Sequence, residues 1–286
     1  MLQESKYRAT FRYLVILILA AGIFSADVES AKSQISIAPT AVFMSDRSPF
    51  ANVIVSNGSQ TAQEITIGFR FGYSVSNEEG NVSMHYDTTG HAASFVNNVN
   101  AFPRNFVLEP GQRQTVRLAA RGYGDKDDGT YWSRMNILAT PLSPPVEAET
   151  GDEAVAARIN INFEQVIPAF FKKGSVSTGL EIEEITFRQE VENGIFLIDA
   201  ERAGNSPYIG TVQITLRNSN GAVVREQEVT FSAYFDITRR VNLNLSDLNP
   251  GNYTAEFQFK TERRDISSGD LIRVDPFTKT KEFSIE

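Results

Sequence analysis

From Ile182 to the end, the chain repeats one short unit: a run in which apolar and polar residues alternate, then a turn. The runs are 182–187, 195–200, 209–216, 223–231, 240–245, 253–259 and 277–285. Asn193-Gly194, Asn220-Gly221 and Pro250-Gly251 punctuate them, dipeptides that favour tight turns between antiparallel strands. Alternation every second residue puts one apolar and one polar face on a strand and is incompatible with an amphipathic helix. Seven such strands with regular turn signals predict an immunoglobulin-like β-sandwich. Leu248-Asn249-Pro250-Gly251-Asn252-Tyr253 has the form of a corner turn in which a tyrosine hydroxyl bonds back to the backbone.

The first half reads the same way. Ile35–Met44 is extended, with Pro39 near its middle, which predicts an edge or a strand that changes sheets. Phe50–Ser56 ends at Asn57-Gly58, and Gln63–Phe71 places Ile65, Ile67, Phe69 and Phe71 on one face. Residues 89–104 are irregular and Asn-rich, so they read as a loop. Phe106–Leu108 and Gln114–Ala119 flank a Pro110-Gly111 turn. Asp128-Gly129-Thr130-Tyr131 opens a further strand to Leu138 with a second tyrosine corner. The Pro-rich and acidic segment 140–156 reads as mobile.

The longest alternating run is Arg158–Lys173. Ile159, Ile161 and Phe163 alternate with Asn160, Asn162 and Glu164, and the same parity returns at Ile167, Ala169 and Phe171. Gly174–Gly179 is small, polar and linker-like. The expected organisation is therefore an N-terminal export signal over 1–31, one sandwich over 32–173 and a second over 174–286, all-β throughout.

A chain of 286 residues, 41% hydrophobic and 22% charged, is long enough for two ordinary domains. Its formal charge of −8 argues against nucleic acid as a partner, because phosphate binding needs a basic face. Lys6, Arg8 and Arg12 precede an apolar run from Tyr13 to Phe24, followed by small residues. That order is a secretory signal, too short to anchor stably across a bilayer. Cysteine is absent, so disulfides and a lipid-modified N-terminal cysteine are excluded. Export without disulfides points to a bacterial periplasm, with the exterior or cell surface as the alternative.

No enzyme chemistry appears. The two histidines, His85 and His91, have only Asp87 nearby, too few ligands for a metal. Asp125, Asp127 and Asp128 lack the spacing and closing Glu of a calcium loop. Glu183 and Glu184 are adjacent on a strand and should face opposite sides. No nucleophile elbow or phosphate-cradling loop is present. The expectation is a non-enzymatic protein without a cofactor.

Three stretches, in order, resemble the N-terminal domain of the PapD-like periplasmic pilus-assembly chaperones. Pro39-Thr40-Ala41-Val42-Phe43 resembles the family's first-strand motif. Phe50–Asn57, ending S-N-G, resembles the following strand. Phe106-Val107-Leu108-Glu109-Pro110-Gly111 with Gln114–Leu118 resembles its F-x-L-x-P-G-x-x-Q-x-V-R stretch. Ile167–Lys172 stands where that family's chain leaves its first domain. The resemblance implies a chaperone that binds an exported, pilin-like subunit, with an outer-membrane usher as a further partner. It also implies that the last strand of the first domain donates alternate side chains to an incomplete subunit, here Ile159, Ile161 and Phe163. Backbone pairing supplies affinity and alternate side chains fill pockets. The same alternation would equally serve the domain's own core.

The departures are specific. The family's carboxylate-anchoring Arg and Lys fall on Ala41 and Pro168, and neither can hold a carboxylate. Lys172 and Lys173 are the displaced anchor candidates, with plain surface charge as the other reading. The expected function is a periplasmic chaperone-like protein that binds a partner polypeptide by strand pairing. The alternative is a structural or adhesive exported surface protein built from the same sandwiches. A carbohydrate platform at Tyr131-Trp132 is a third, minor reading.

Overall fold

Pro39 divides the first extended segment into β1 (Ile35–Ala38) and β2 (Val42–Ser45), which join different sheets. The computed structural model describes residues 35–142 and 162–286. Residues 1–31, expected to be an export signal, Ile159, Ile161 and nearly all of the acidic Pro-rich segment lie outside them.

The chain continues through β3 (Phe50–Asn57), β4 (Gln63–Arg70), β5 (Gly72–Ser76), β6 (Val82–Tyr86), β7 (Val99–Phe102), β8 (Asn105–Leu108), β9 (Arg113–Ala120), β10 (Gly129–Pro141) and β11 (Phe163–Lys173). One sheet has the order β1-β3-β9-β7 and the facing sheet β2-β11-β10-β4-β8, while β5 and β6 form a separate hairpin. Val53, Val55, Ile65, Ile67, Val116, Leu118, Met135 and Ile137 fill the space between the sheets. Alternation along each strand dictates this, since every second side chain meets the opposing sheet.

Two details differ from expectation. The 89–104 region contains a short 3-10 turn (Val96–Asn98) and β7, which pairs with β9. The Pro110-Gly111 turn joins strands of opposite sheets, since β8 pairs with β4 and β9 with β3. Gly111 takes a φ of +76° at this corner, where a side chain would be strained. Asn57 braces the corner: it is buried, and its Nδ2 donates to the carbonyls of Thr61 (2.8 Å) and Leu108 (2.9 Å).

The second sandwich has the seven strands its alternation predicts: β12 (Thr178–Glu190), β13 (Asn193–Gly204), β14 (Tyr208–Asn218), β15 (Val223–Ala233), β16 (Ile237–Asn244), β17 (Gly251–Lys260) and β18 (Phe277–Ile285). They form sheets β12-β13-β16 and β15-β14-β17-β18. Phe196, Ile198, Val212, Ile214, Phe257 and Phe259 are central to its core. Both tyrosine corners form. The Tyr253 hydroxyl donates to the Asn249 carbonyl at 2.7 Å and that of Tyr131 to Asp127 at 2.9 Å. Glu183 departs from simple alternation, because a register shift between Ile182 and Glu184 leaves Glu183 and Glu184 both exposed.

The Gly174–Gly179 segment is tied down rather than free. The Gly174 N–H donates to Asp46 Oδ2 (3.0 Å), Ser175 N–H to Asp128 Oδ2 (2.9 Å) and Ser177 N–H to Asn205 Oδ1 (2.9 Å). Asn205 Nδ2 in turn donates to the carbonyls of Asp128 and Ser175. Short polar side chains satisfy the backbone that a turn leaves unpaired, so a segment that reads as a linker holds one conformation.

Candidate functional site

β11 is paired along its whole length with β10, but β2 joins its other side only at Ala169–Lys172. Among the described residues no strand pairs with the second edge of residues 163–168. Pro168 fits this arrangement, because a residue without an N–H is tolerated where a strand has only one neighbour. Ile167, Ala169 and Phe171 point into the first core. Phe163 has their parity but lies at the strand's start, where it is 40% exposed. Val166, of the opposite parity, is also exposed. The unpaired edge therefore carries an exposed apolar side chain on each face.

The two lysines at the other end of β11 are engaged within the protein. Lys172 is partly buried, its ammonium bonded to the Asp270 carbonyl and near the Phe43 ring. Burial pulls its pKa below the usual lysine range, with Asp270 acting in the opposite direction. The Lys173 ammonium donates to the carbonyls of Gly124 and Lys126.

On the face of β10 turned away from the first core, Trp132 and Arg134 meet the second sandwich. Trp132 is 1% exposed and its Nε1 donates to the Gly72 carbonyl at 3.1 Å, so it offers no open aromatic platform. Its ring packs on Phe71, Tyr234 and Phe235, at centroid distances of 5.3, 5.1 and 5.8 Å. Tyr234 and Phe235 come from the turn between β15 and β16, so one aromatic cluster joins both sandwiches. His91 stacks on Phe71 at 5.1 Å and His85 packs edge-on to Tyr73, which places both histidines against aromatic rings. No group of metal-ligating side chains occurs among the described residues.

Beside this cluster lies a cavity of about 190 Å³, lined from the first sandwich by Ala41, Ser74, Arg134 and Pro168, and from the second by Ser232 and Arg263. Arg134 is 5% exposed; its Nε donates to the Gly72 carbonyl (3.0 Å) and its guanidinium lies 4.8 Å from the Tyr234 ring centre. Its Nη2 is buried without a hydrogen-bond partner. Arg263 is already matched by a two-point pair with Asp265, at 2.8 and 2.7 Å. Sequence reasoning passed over Arg134. The available signal was a charged residue inside a strand whose neighbours are otherwise apolar or small.

No protein-family model matches the chain, and no curated protein matches it. Among solved structures, it is similar to the YadV chaperone, with 13% identity, 88% of this chain and 100% of that chain covered, and a TM-score of 0.45. It is likewise similar to a Salmonella enterica SafA pilin–SafB chaperone complex (14%, 88% and 98%, TM-score 0.42). A third is the CsuC–CsuE chaperone–tip adhesion subunit complex of Acinetobacter baumannii (11%, 86% and 98%, TM-score 0.44).

Proposed function

We propose that this protein is a non-enzymatic periplasmic chaperone that holds an exported, pilin-like subunit by strand pairing along the first half of β11. The observation that carries this reading is the one-sided pairing of residues 163–168, with Phe163 and Val166 exposed beside the unpaired edge. An unpaired edge presents backbone donors and acceptors that an extended chain can complete, and flanking apolar side chains give that chain something to bury. Phe163, with Ile159 and Ile161 ahead of it, supplies the alternating apolar set. The two sandwiches divide at 173/174, and an outer-membrane usher would receive the loaded complex.

The test is co-expression of the mature chain with a pilin-like subunit encoded beside it, followed by amide exchange on the purified complex. Slower exchange across residues 163–168 is expected. A complex in which that segment exchanges as fast as in the free protein would place the subunit elsewhere.

A further inference from the structure

Among the described residues the second sandwich has four edge strands, β12, β15, β16 and β18. An edge strand offers unpaired N–H and C=O groups to any extended chain, and charge or a bulge deters that pairing. Exposed Glu181, Glu183 and Glu184 surround the register shift of β12. β15 exposes Glu226 and Glu228, and β18 carries Lys279 and Lys281. β16 is different: its Arg239 and Arg240 are half-buried, and its edge is covered from the first sandwich.

The cover is the β5–β6 hairpin. At its base the Gly72 carbonyl accepts the side-chain N–H groups of Trp132 and Arg134. At its tip the Ser76 hydroxyl accepts the Thr238 N–H (2.8 Å) and the Gly80 carbonyl accepts the Arg240 N–H (3.0 Å). Thr238 and Arg240 are two residues apart, so both amides leave β16 on the side away from β13. The tip is shaped for this contact. The Asn77 carbonyl accepts the Gly80 N–H at 2.9 Å and Asn77 Oδ1 accepts the Asn81 N–H at 2.8 Å, which closes the turn. Gly80 is buried although it lies at the end of a hairpin, and a Cβ there would collide with the Arg240 backbone and Leu197. One hydroxyl and one carbonyl hold the edge, rather than a ladder, so the cover can come away without dismantling either sandwich.

We propose that the β5–β6 hairpin is a guard that closes the β16 edge to strand addition, and that the chain it excludes is a second copy of this protein. Antiparallel pairing of two identical edges is isologous, so each copy presents what the other needs and no further partner is required. The guard itself is independent of the function proposed above. Its consequence for function rests on that reading: with β16 closed, an incoming subunit is directed to the open half of β11.

The test combines amide exchange with sedimentation over a concentration series. In the unaltered protein the Thr238 and Arg240 amides should exchange at least tenfold more slowly than that of Asn242, which lies on the same edge beyond the tip. Two variants open the edge. Gly80→Val forces the tip off Arg240, and replacing residues 75–83 by Asn-Gly removes the tip while keeping the Ser74–Met84 pair closed by a two-residue turn. Each should erase the exchange difference and produce a self-association that the unaltered protein lacks, in which exchange along β16 slows again. Melting curves check that the variants fold. If the shortened hairpin does not fold, Gly80→Val and the exchange contrast in the unaltered protein decide. Equal exchange at residues 238, 240 and 242 of the unaltered protein overturns the guard. Folded variants that associate no more than the unaltered protein overturn it too, because the hairpin would then be only a brace between the sandwiches. Association that leaves β16 exchanging freely overturns it as well, since the copies would be joined elsewhere. Failure of the guard with a subunit still protecting 163–168 defeats only this inference, and a working guard without that protection defeats only the strand-pairing function.

Discussion

Gly174 and Asp128 are so close that a Cβ on Gly174 would overlap the Asp128 carboxylate. Gly174 also has a φ of +59°, and the Asp128 carboxylate accepts the N–H of the next residue, Ser175. The position where the chain passes from the first sandwich to the second thus demands glycine for two separate reasons.

Gly174→Ala should therefore destabilise the protein by about 1–3 kcal/mol, combining a left-handed backbone cost with loss of the Asp128 bond. Because Asp128 is the obstacle, Asp128→Ala should absorb part of that cost, and the double variant should lose less than the sum of the singles. Thermal or urea unfolding of the four proteins measures this. Strict additivity would mean that the carboxylate moves aside freely.

Phe163→Asp should leave folding nearly unchanged, within about 0.5 kcal/mol, because the side chain is largely outside the first core. Binding of a pilin-like subunit should nevertheless be lost, since a charge would enter the partner's apolar pocket. Melting and pull-down on one sample separate the two. A collapsed transition would assign Phe163 to packing instead.

Trp132→Ala should cost about 3–5 kcal/mol, as expected for removing a fully buried aromatic. Its ring contacts Tyr234 and Phe235 of the second sandwich, so small-angle scattering should also register a looser arrangement of the two halves. Unchanged scattering with lowered stability would confine Trp132 to the first half.

Tyr253→Phe should cost about 1 kcal/mol through loss of the bond to the Asn249 carbonyl. Tyr208→Phe should do the reverse. The Tyr208 hydroxyl is buried without a hydrogen-bond partner among the described residues, and its removal should stabilise by about 1 kcal/mol. Burial raises the Tyr208 pKa above its ordinary value near 10. The folded state therefore holds this proton where the unfolded chain releases it, and stability falls as pH rises above 10. Tyr208→Phe should lessen that alkaline loss, as urea unfolding at pH 8 and above 10 would reveal.

Most strand positions in both halves, a break at Pro39 that meant either an edge or a change of sheet, and both tyrosine corners were legible in the residues themselves. Each depends on neighbours within a few positions: alternation, a proline without an N–H, or a hydroxyl reaching back four residues. Phe163 was legible as part of an alternating set, but its exposure depends on where the first core ends.

Local pattern could not convey the rest, because it is made by residues far apart in the chain. Gly174–Gly179 looks like a linker, yet Asp46, Asp128 and Asn205 hold Gly174, Ser175 and Ser177 in place. Tyr131-Trp132 offers an aromatic pair in the sequence, yet Tyr234 and Phe235 cover Trp132 from the other sandwich. Arg134 is only a strand residue in the sequence, and it becomes a buried cation facing a cavity when the second sandwich closes over it. The sequence by itself determined most of the strands and the turns between them, because periodicity and turn chemistry act over a few residues, but it did not mark β5, β6 or β7. Only the tertiary structure decided which side chains are covered, clamped or left without a partner, because burial and pairing depend on what the rest of the chain brings against them.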